Sequence, residues 1–167
     1  CGLMTISANH GIRYEQNGIF EVLVDQDEVF ETYLDLMLFA AAFGYSRGVY
    51  KPEDDILPRK DRAETKWAFI KGNNTLEVAI AAMAFSRTGD PEVLTDRSEQ
   101  LRHLIRYAAA GADILLEEVV EVPGDNLELI LQLVEDERDE NEMQRQLGIL
   151  EEIDSELTTF SAGAGDD

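Results

Sequence analysis

The sequence is poor in several residue types, and each shortage excludes a class of protein. One cysteine stands among 167 residues, so no disulfide can form within the chain. Two histidines, His10 and His103, lie far apart, and no ligand pair has the spacing of a zinc site. We expect no metal and no other cofactor. No apolar run approaches the roughly 20 residues that span a bilayer, which favours a cytoplasmic protein without membrane contact.

Basic residues are also scarce. Fourteen Lys and Arg stand against 35 Asp and Glu, and the net charge is −21. Three explanations remain open: a high-salt cytoplasm, mimicry of DNA, and a basic protein partner. Half of the basic residues lie between Arg47 and Lys71, and most of the net negative charge lies in the last third of the chain.

The apolar residues that are present concentrate in a predicted central helix over residues 31–43. Thr32 and Asp35 form a capping-box pattern at its start, and the following residues through Phe43 are apolar. Gly44 stands where a helix often ends in a left-handed residue. A helix of this length that is apolar on nearly every side must be buried on nearly every side.

Further capping signals and apolar spacing predict a mainly α-helical, compact bundle of about four to six helices. The longest regular pattern runs over residues 97–120, where Gly111 marks an expected close helix crossing. Asn17-Gly18 predicts a small N-terminal β-hairpin or short strands, with a helix from about Phe20 as the alternative. A short strand is expected in residues 65–71.

The predicted organisation has three parts. Residues 1–134 form the compact helical domain, residues 135–157 an acidic helical extension, and residues 158–167 a disordered tail. Apolar spacing resumes after the acidic run at 135–140. The region is therefore either one long helix or two helices with an acidic hinge.

The sequence contains none of the common hydrolase, phosphate-loop or dinucleotide-binding motifs, so no catalytic residue is predicted. The basic segment, in which aromatic residues are interleaved, is the candidate contact surface for nucleic acid or a partner. Its predicted contact residues are Arg47, Lys51, Arg59, Lys60, Arg62, Lys66 and Trp67. A metal-dependent nuclease site around Asp54, Asp55 and Lys60 is a further alternative.

Three segments, in this order, resemble the Dnd system-associated protein 4 family. They are FETYLDLMLFAAAFGYSRG at residues 30–48, the aromatic segment at 67–69, and AFSRTGDPEVL at 84–94. The resemblance implies a role beside DNA phosphorothioation, in which sulfur replaces a non-bridging oxygen of the DNA backbone. It brings no catalytic residues.

The resulting hypothesis is a non-enzymatic accessory or adaptor protein of a phosphorothioation-dependent modification–restriction system that defends against phage. Its expected partners are other proteins of the same locus, and direct DNA contact by the chain alone is not expected. The alternatives are an acidic DNA mimic or regulator of a DNA-binding partner, and a nuclease component.

Overall fold

The computed structural model describes residues 6–163, which are mainly helical, and the predicted fold class is confirmed. Two short strands and four α-helices carry the fold: β1 (Gly11–Tyr14), α1 (Tyr33–Ser46), β2 (Ala63–Lys66), α2 (Asn74–Thr88), α3 (Arg97–Leu115) and α4 (Asn126–Gly163). Two π-helical segments lie at Glu21–Gln26 and Leu116–Val120. Short 3₁₀ turns lie at Glu53–Asp55, Arg59–Asp61, Trp67–Phe69 and Pro91–Thr95.

The central helix α1 begins as predicted. The hydroxyl oxygen of Thr32 accepts a hydrogen bond from the backbone N–H of Asp35 at 3.1 Å, and the same hydroxyl donates to the Asp35 carboxylate at 2.7 Å. This cap satisfies one of the free N–H groups of the first turn. The helix then continues past Phe43 to Ser46, and its buried residues include Leu36 and Met37.

Two glycines bring α1 and α3 into backbone contact. A Cβ on Gly44 would lie 2.4 Å from the carbonyl oxygen of Tyr107, and one on Gly111 would lie 1.8 Å from that of Ala40. The predicted close crossing at Gly111 is therefore confirmed. The prediction that Gly44 ends the helix in a left-handed conformation is wrong, because Gly44 lies inside α1 and Gly48 takes the positive φ of 67°.

Side-chain caps also set the starts of α2 and α3. The Asn73 side-chain oxygen accepts the N–H of Leu76, and a carboxylate oxygen of Asp96 accepts the N–H of Glu99, both at 3.1 Å. Gly89 ends α2 with a φ of 66°, a conformation that favours glycine. These local signals in the sequence predict the helix boundaries well because each one acts within a few residues.

The apolar stripe predicted along α3 is buried. Its members are Leu101, Leu104, Ile105, Ala108, Ala112, Leu115 and Val119. Val119 remains on the stripe because α3 continues directly into the π-helical segment at 116–120. α3 packs against both α1 and α2, so it is the shared element of the helical core.

The predicted hairpin around Asn17-Gly18 is wrong. β1 instead pairs antiparallel with β2, which is about fifty residues later, and Gly11 lies opposite Lys66. The Asn17 side-chain oxygen accepts the N–H of Ile19 at 3.1 Å, so it starts a helical segment rather than a hairpin turn. The two alternatives, short strands and a helix near Phe20, are both observed, at Gly11–Tyr14 and at Glu21–Gln26. The strand predicted for residues 65–71 is instead β2 at Ala63–Lys66, which overlaps the prediction at two residues only, because a 3₁₀ turn begins at Trp67.

The chain divides into two compact units, one ending at Asn126 and the other beginning at Leu127. The second unit consists, in its described part, of α4. This helix passes through the acidic run at 135–140 without a break and continues to Gly163. It also includes residues 158–163, for which the sequence predicts a disordered tail, and residues 164–167 lie outside the described part.

We predict that Gly111→Ala destabilises the first unit by about 2–3 kcal/mol. The new methyl group would overlap the Ala40 carbonyl, and a backbone atom cannot move aside as a side chain can. Urea unfolding measures the change. Gly148→Ala is the matched control, because a Cβ there meets nothing within 4 Å and alanine favours a helix. Equal stability of the two variants would show that the crossing is not tight.

Candidate arginine pocket and acidic helix

A pocket of about 430 Å³ lies in the first unit, between β1, the turns before β2 and the start of α3. Its charged lining consists of five arginines and one carboxylate: Arg13, Arg59, Arg62, Arg102, Arg106 and Glu53. We call this site the arginine pocket. A concentration of arginine is unexpected in a chain with a net charge of −21.

Three separate parts of the sequence supply these arginines. Arg13 lies on β1, and Arg59 and Arg62 lie in and after the 3₁₀ turn that precedes β2. Arg102 and Arg106 are four residues apart on α3, which places them on the same face of that helix. The pairing of β1 with β2 and the contact of α3 with β1 bring the three parts together.

Glu53 holds two of the arginines in place. Its carboxylate accepts a hydrogen bond from Arg62 at 2.7 Å and lies 3.5 Å from Nε of Arg106. Arg62 also donates to the carbonyl of Leu57 at 2.6 Å, and only 7% of its side chain is exposed. The hydrogen bond from Arg62, with the charges of Arg62 and Arg106, lowers the pKa of Glu53. These side chains are therefore fixed in position.

The partly buried hydroxyl of Tyr50 fixes Arg106 from the other side. Arg106 donates a hydrogen bond to the hydroxyl oxygen of Tyr50, which lies 2.9 Å from Nδ1 of His103. The direction of this hydrogen bond depends on which ring nitrogen of a neutral His103 carries the proton, Nδ1 or Nε2. Glu99 lies 3.4 Å from Nε2. Burial lowers the pKa of His103.

Arg59 and Arg62 are the predicted contact residues that line the arginine pocket. Arg47 forms a two-pronged ion pair with Glu118, with both N–O distances at 3.0 Å. Trp67 is 3% exposed, and Arg97 lies over its ring at 4.8 Å. Trp67 therefore presents no open face for stacking on a base.

The remaining predicted contact residues are lysines. Lys51 binds Glu15 at 2.7 Å and Asp113 at 2.9 Å. Burial opposes the charge of Lys51, but these two hydrogen bonds raise its pKa overall. Lys60 and Lys66 are exposed and lie outside the arginine pocket. Arg47 and Lys51 thus form ion pairs within the chain. The contact surface predicted from the sequence, taken as a whole, stays a prediction.

Sequence reasoning missed Arg13, Arg102 and Arg106 as pocket residues. The spacing of Arg102 and Arg106 on the polar face of a predicted helix was an available signal. No signal in the sequence pointed to Arg13, because its position in the pocket depends on a strand pairing between segments about fifty residues apart. Asp54 and Asp55, candidates for a nuclease, are exposed on a 3₁₀ turn. Within residues 6–163 no group of three or more His, Cys, Asp or Glu side chains is arranged to hold a metal ion.

The second unit has a different chemistry. Residues 127–157 of α4 carry eleven acidic and two basic residues. Exposed apolar side chains recur three or four residues apart in the C-terminal half, and we call this row the α4 stripe: Met143, Leu147, Leu150, Ile153 and Leu157. At this spacing they share one face of the helix. Among the described helices, none is long and apolar enough to cross a membrane.

These features define a small, mainly helical protein with an arginine-lined pocket in one unit and, in the other, an acidic helix that exposes a row of apolar side chains. The sequence model of the family described as DNA sulphur modification system-associated protein 4 matches residues 12–152. The chain belongs to that family, and the suspected resemblance is confirmed. No curated protein and no solved structure matches the chain.

We predict that protonation of His103 destabilises the fold. The unfolded histidine has a pKa of about 6.5 and the folded one a lower pKa. The contribution of neutral His103 to the free energy of unfolding is therefore fully present above pH 6.5 and decreases as the pH falls towards the folded pKa. The slope is at most about 1.4 kcal/mol per pH unit. His103→Asn keeps a side chain that can form a hydrogen bond with Tyr50 but does not titrate.

Urea unfolding between pH 7.5 and 5.5 measures this effect. The native chain should lose more stability over that interval than the His103→Asn variant, because both share the carboxylates that titrate at lower pH. Parallel pH dependence of the two proteins would show that His103 does not titrate differently on folding.

Proposed function

We propose that this chain is a non-enzymatic accessory protein of its DNA sulphur modification system, within the restriction branch that defends against phage, and that it acts through protein contacts. Family membership supports the association with sulphur modification. The α4 stripe is the observation that carries the protein-contact part. Its five large apolar side chains are all exposed, with Leu157 at 64%. Contiguous exposed apolar surface of this kind marks interaction sites.

The charge around the α4 stripe selects the kind of partner. Eleven acids against two bases give residues 127–157 a net charge of −9. A second copy of α4 would carry the same charge and would be repelled. A basic amphipathic surface on another protein of the locus would meet both the apolar row and the carboxylates beside it. We therefore place the partner among the basic, DNA-handling proteins of the system, in the cytoplasm.

The same helix supports one alternative, an acidic mimic of DNA. Residues 135–142 contain six acids and one base on an uninterrupted helix. Such a row of carboxylates resembles the charge of a phosphate backbone and would occupy a groove that otherwise binds DNA. The two hypotheses differ in what dominates binding: apolar contacts in the first, charge in the second.

We predict that Leu147→Asp/Leu150→Asp reduces recovery of the partner at least tenfold. The tagged chain is expressed in its host, and proteins encoded by the neighbouring sulphur-modification genes are quantified after capture. Both leucines are exposed, so helix content should not change. Phe69→Asp/Val78→Asp is the matched control, since it places the same two charges at residues that are 70% and 69% exposed in the first unit.

Each outcome separates the hypotheses. Undiminished recovery with the leucine variant contradicts the apolar docking surface. If Glu135→Gln/Glu137→Gln/Glu140→Gln abolishes recovery while the leucine variant does not, the DNA mimic is favoured. Cleavage of DNA by the purified chain with a divalent metal contradicts the non-enzymatic proposal.

A further inference from the structure

The arginine pocket is not explained by contacts of α4 with a partner. Its five guanidinium groups carry five N–H donors each. Three carboxylates pair with them, since Glu64 binds Arg13 at 3.1 Å and Glu99 binds Arg102, in addition to Glu53. The group as a whole keeps a net charge of +2. The pocket is thus a local concentration of positive charge in an acidic protein.

Several of these donors have no acceptor in the described part of the chain. The Arg59 side chain makes no hydrogen bond or ion pair with any residue in the range 6–163, although it lines the pocket. Nε of Arg106 is buried and makes no hydrogen bond, and its ion pair with Glu53 is long, at 3.5 Å. Buried donors without acceptors are rare in proteins, and a bound anion in the pocket would supply the acceptor that Arg106 lacks.

The pocket also has the rigidity that a binding site requires. Arg62 and Arg106 are held by Glu53, Leu57 and Tyr50, so their remaining N–H groups are oriented before any ligand arrives. Ser98, in the first turn of α3, is a further polar residue of the lining. Pre-oriented arginines are suited to phosphate, because two N–H groups of one guanidinium can donate to two phosphate oxygens at once.

We propose that the arginine pocket binds a phosphate monoester on a nucleotide-sized molecule. A volume of about 430 Å³ lies within the usual range for small-molecule sites. A long nucleic acid is disfavoured because the whole chain carries −21 and would repel its backbone. A terminal phosphate brings two negative charges into the pocket, whereas an internal phosphodiester brings one. The phosphate can belong to a free nucleotide or to the 5′ end of a DNA strand.

Calorimetric titration of the full chain tests this proposal. The probes are adenosine monophosphate, inorganic phosphate, adenosine, and a single-stranded decanucleotide with either a 5′-phosphate or a 5′-hydroxyl. We expect adenosine monophosphate to bind at least twentyfold more tightly than adenosine, and the affinity to decrease as salt rises. Binding of the 5′-phosphorylated strand as well assigns the site to strand ends, and its failure assigns the site to free nucleotides.

The variant Arg59→Gln/Arg102→Gln should weaken binding of adenosine monophosphate at least tenfold. Neither residue is needed for folding, since Arg59 has no side-chain partner in the described residues and the Arg102 side chain is 59% exposed. Arg138→Gln/Arg145→Gln on α4 removes the same charge elsewhere and should change the affinity less than twofold. Equal binding by the two variants, measurable binding of both decanucleotides with the same affinity, or no binding of any phosphate would overturn the proposal.

Discussion

The backbone contact between α1 and α3 is the constraint on which the first unit depends. Gly44 and Gly111 leave no room for a Cβ at the crossing, so the two helices approach as closely as their backbones allow. This contact presses the apolar length of α1 against the stripe of α3 and fixes the axial position of α3. The axial position of α3 in turn sets the positions of the side chains on its polar face, including Arg102 and Arg106.

The few basic residues of the chain make two different kinds of contact. Arg47 and Lys51 pair with carboxylates on other segments, in partly buried positions where solvent screens the interaction less. These pairs connect the loop after α1 to β1 and to the α3 region. The arginines of the pocket are held differently, because Glu53 is shared between Arg62 and Arg106 and leaves donors unused. The same residue type thus stabilises the fold in one place and forms a candidate binding site in another.

Both units are net negative, but they expose different surfaces, which suggests a division of roles. The first unit concentrates positive charge in a pocket, and α4 exposes an apolar row among carboxylates. In the proposed function α4 recruits a basic protein of the sulphur-modification system. In the further inference the pocket binds a small phosphate compound. Because the two surfaces share no residue, either proposal can fail without the other.

The sequence alone determined the features that arise within one helix or one turn. The caps at Thr32, Asn73 and Asp96, the buried stripe of α3 and the crossing at Gly111 all follow from residues a few positions apart. The resemblance in the sequence also identified the family.

Only the tertiary structure decided which distant segments meet. The Asn17-Gly18 signal predicts a local hairpin, but β1 pairs with β2 because that pairing buries Ile12 and Tyr14 against the helical core. The arginine pocket depends on the same pairing, so of its five arginines the sequence pattern singles out only Arg59 and Arg62. Local spacing carries no information about contacts that form only once separate apolar faces are buried together.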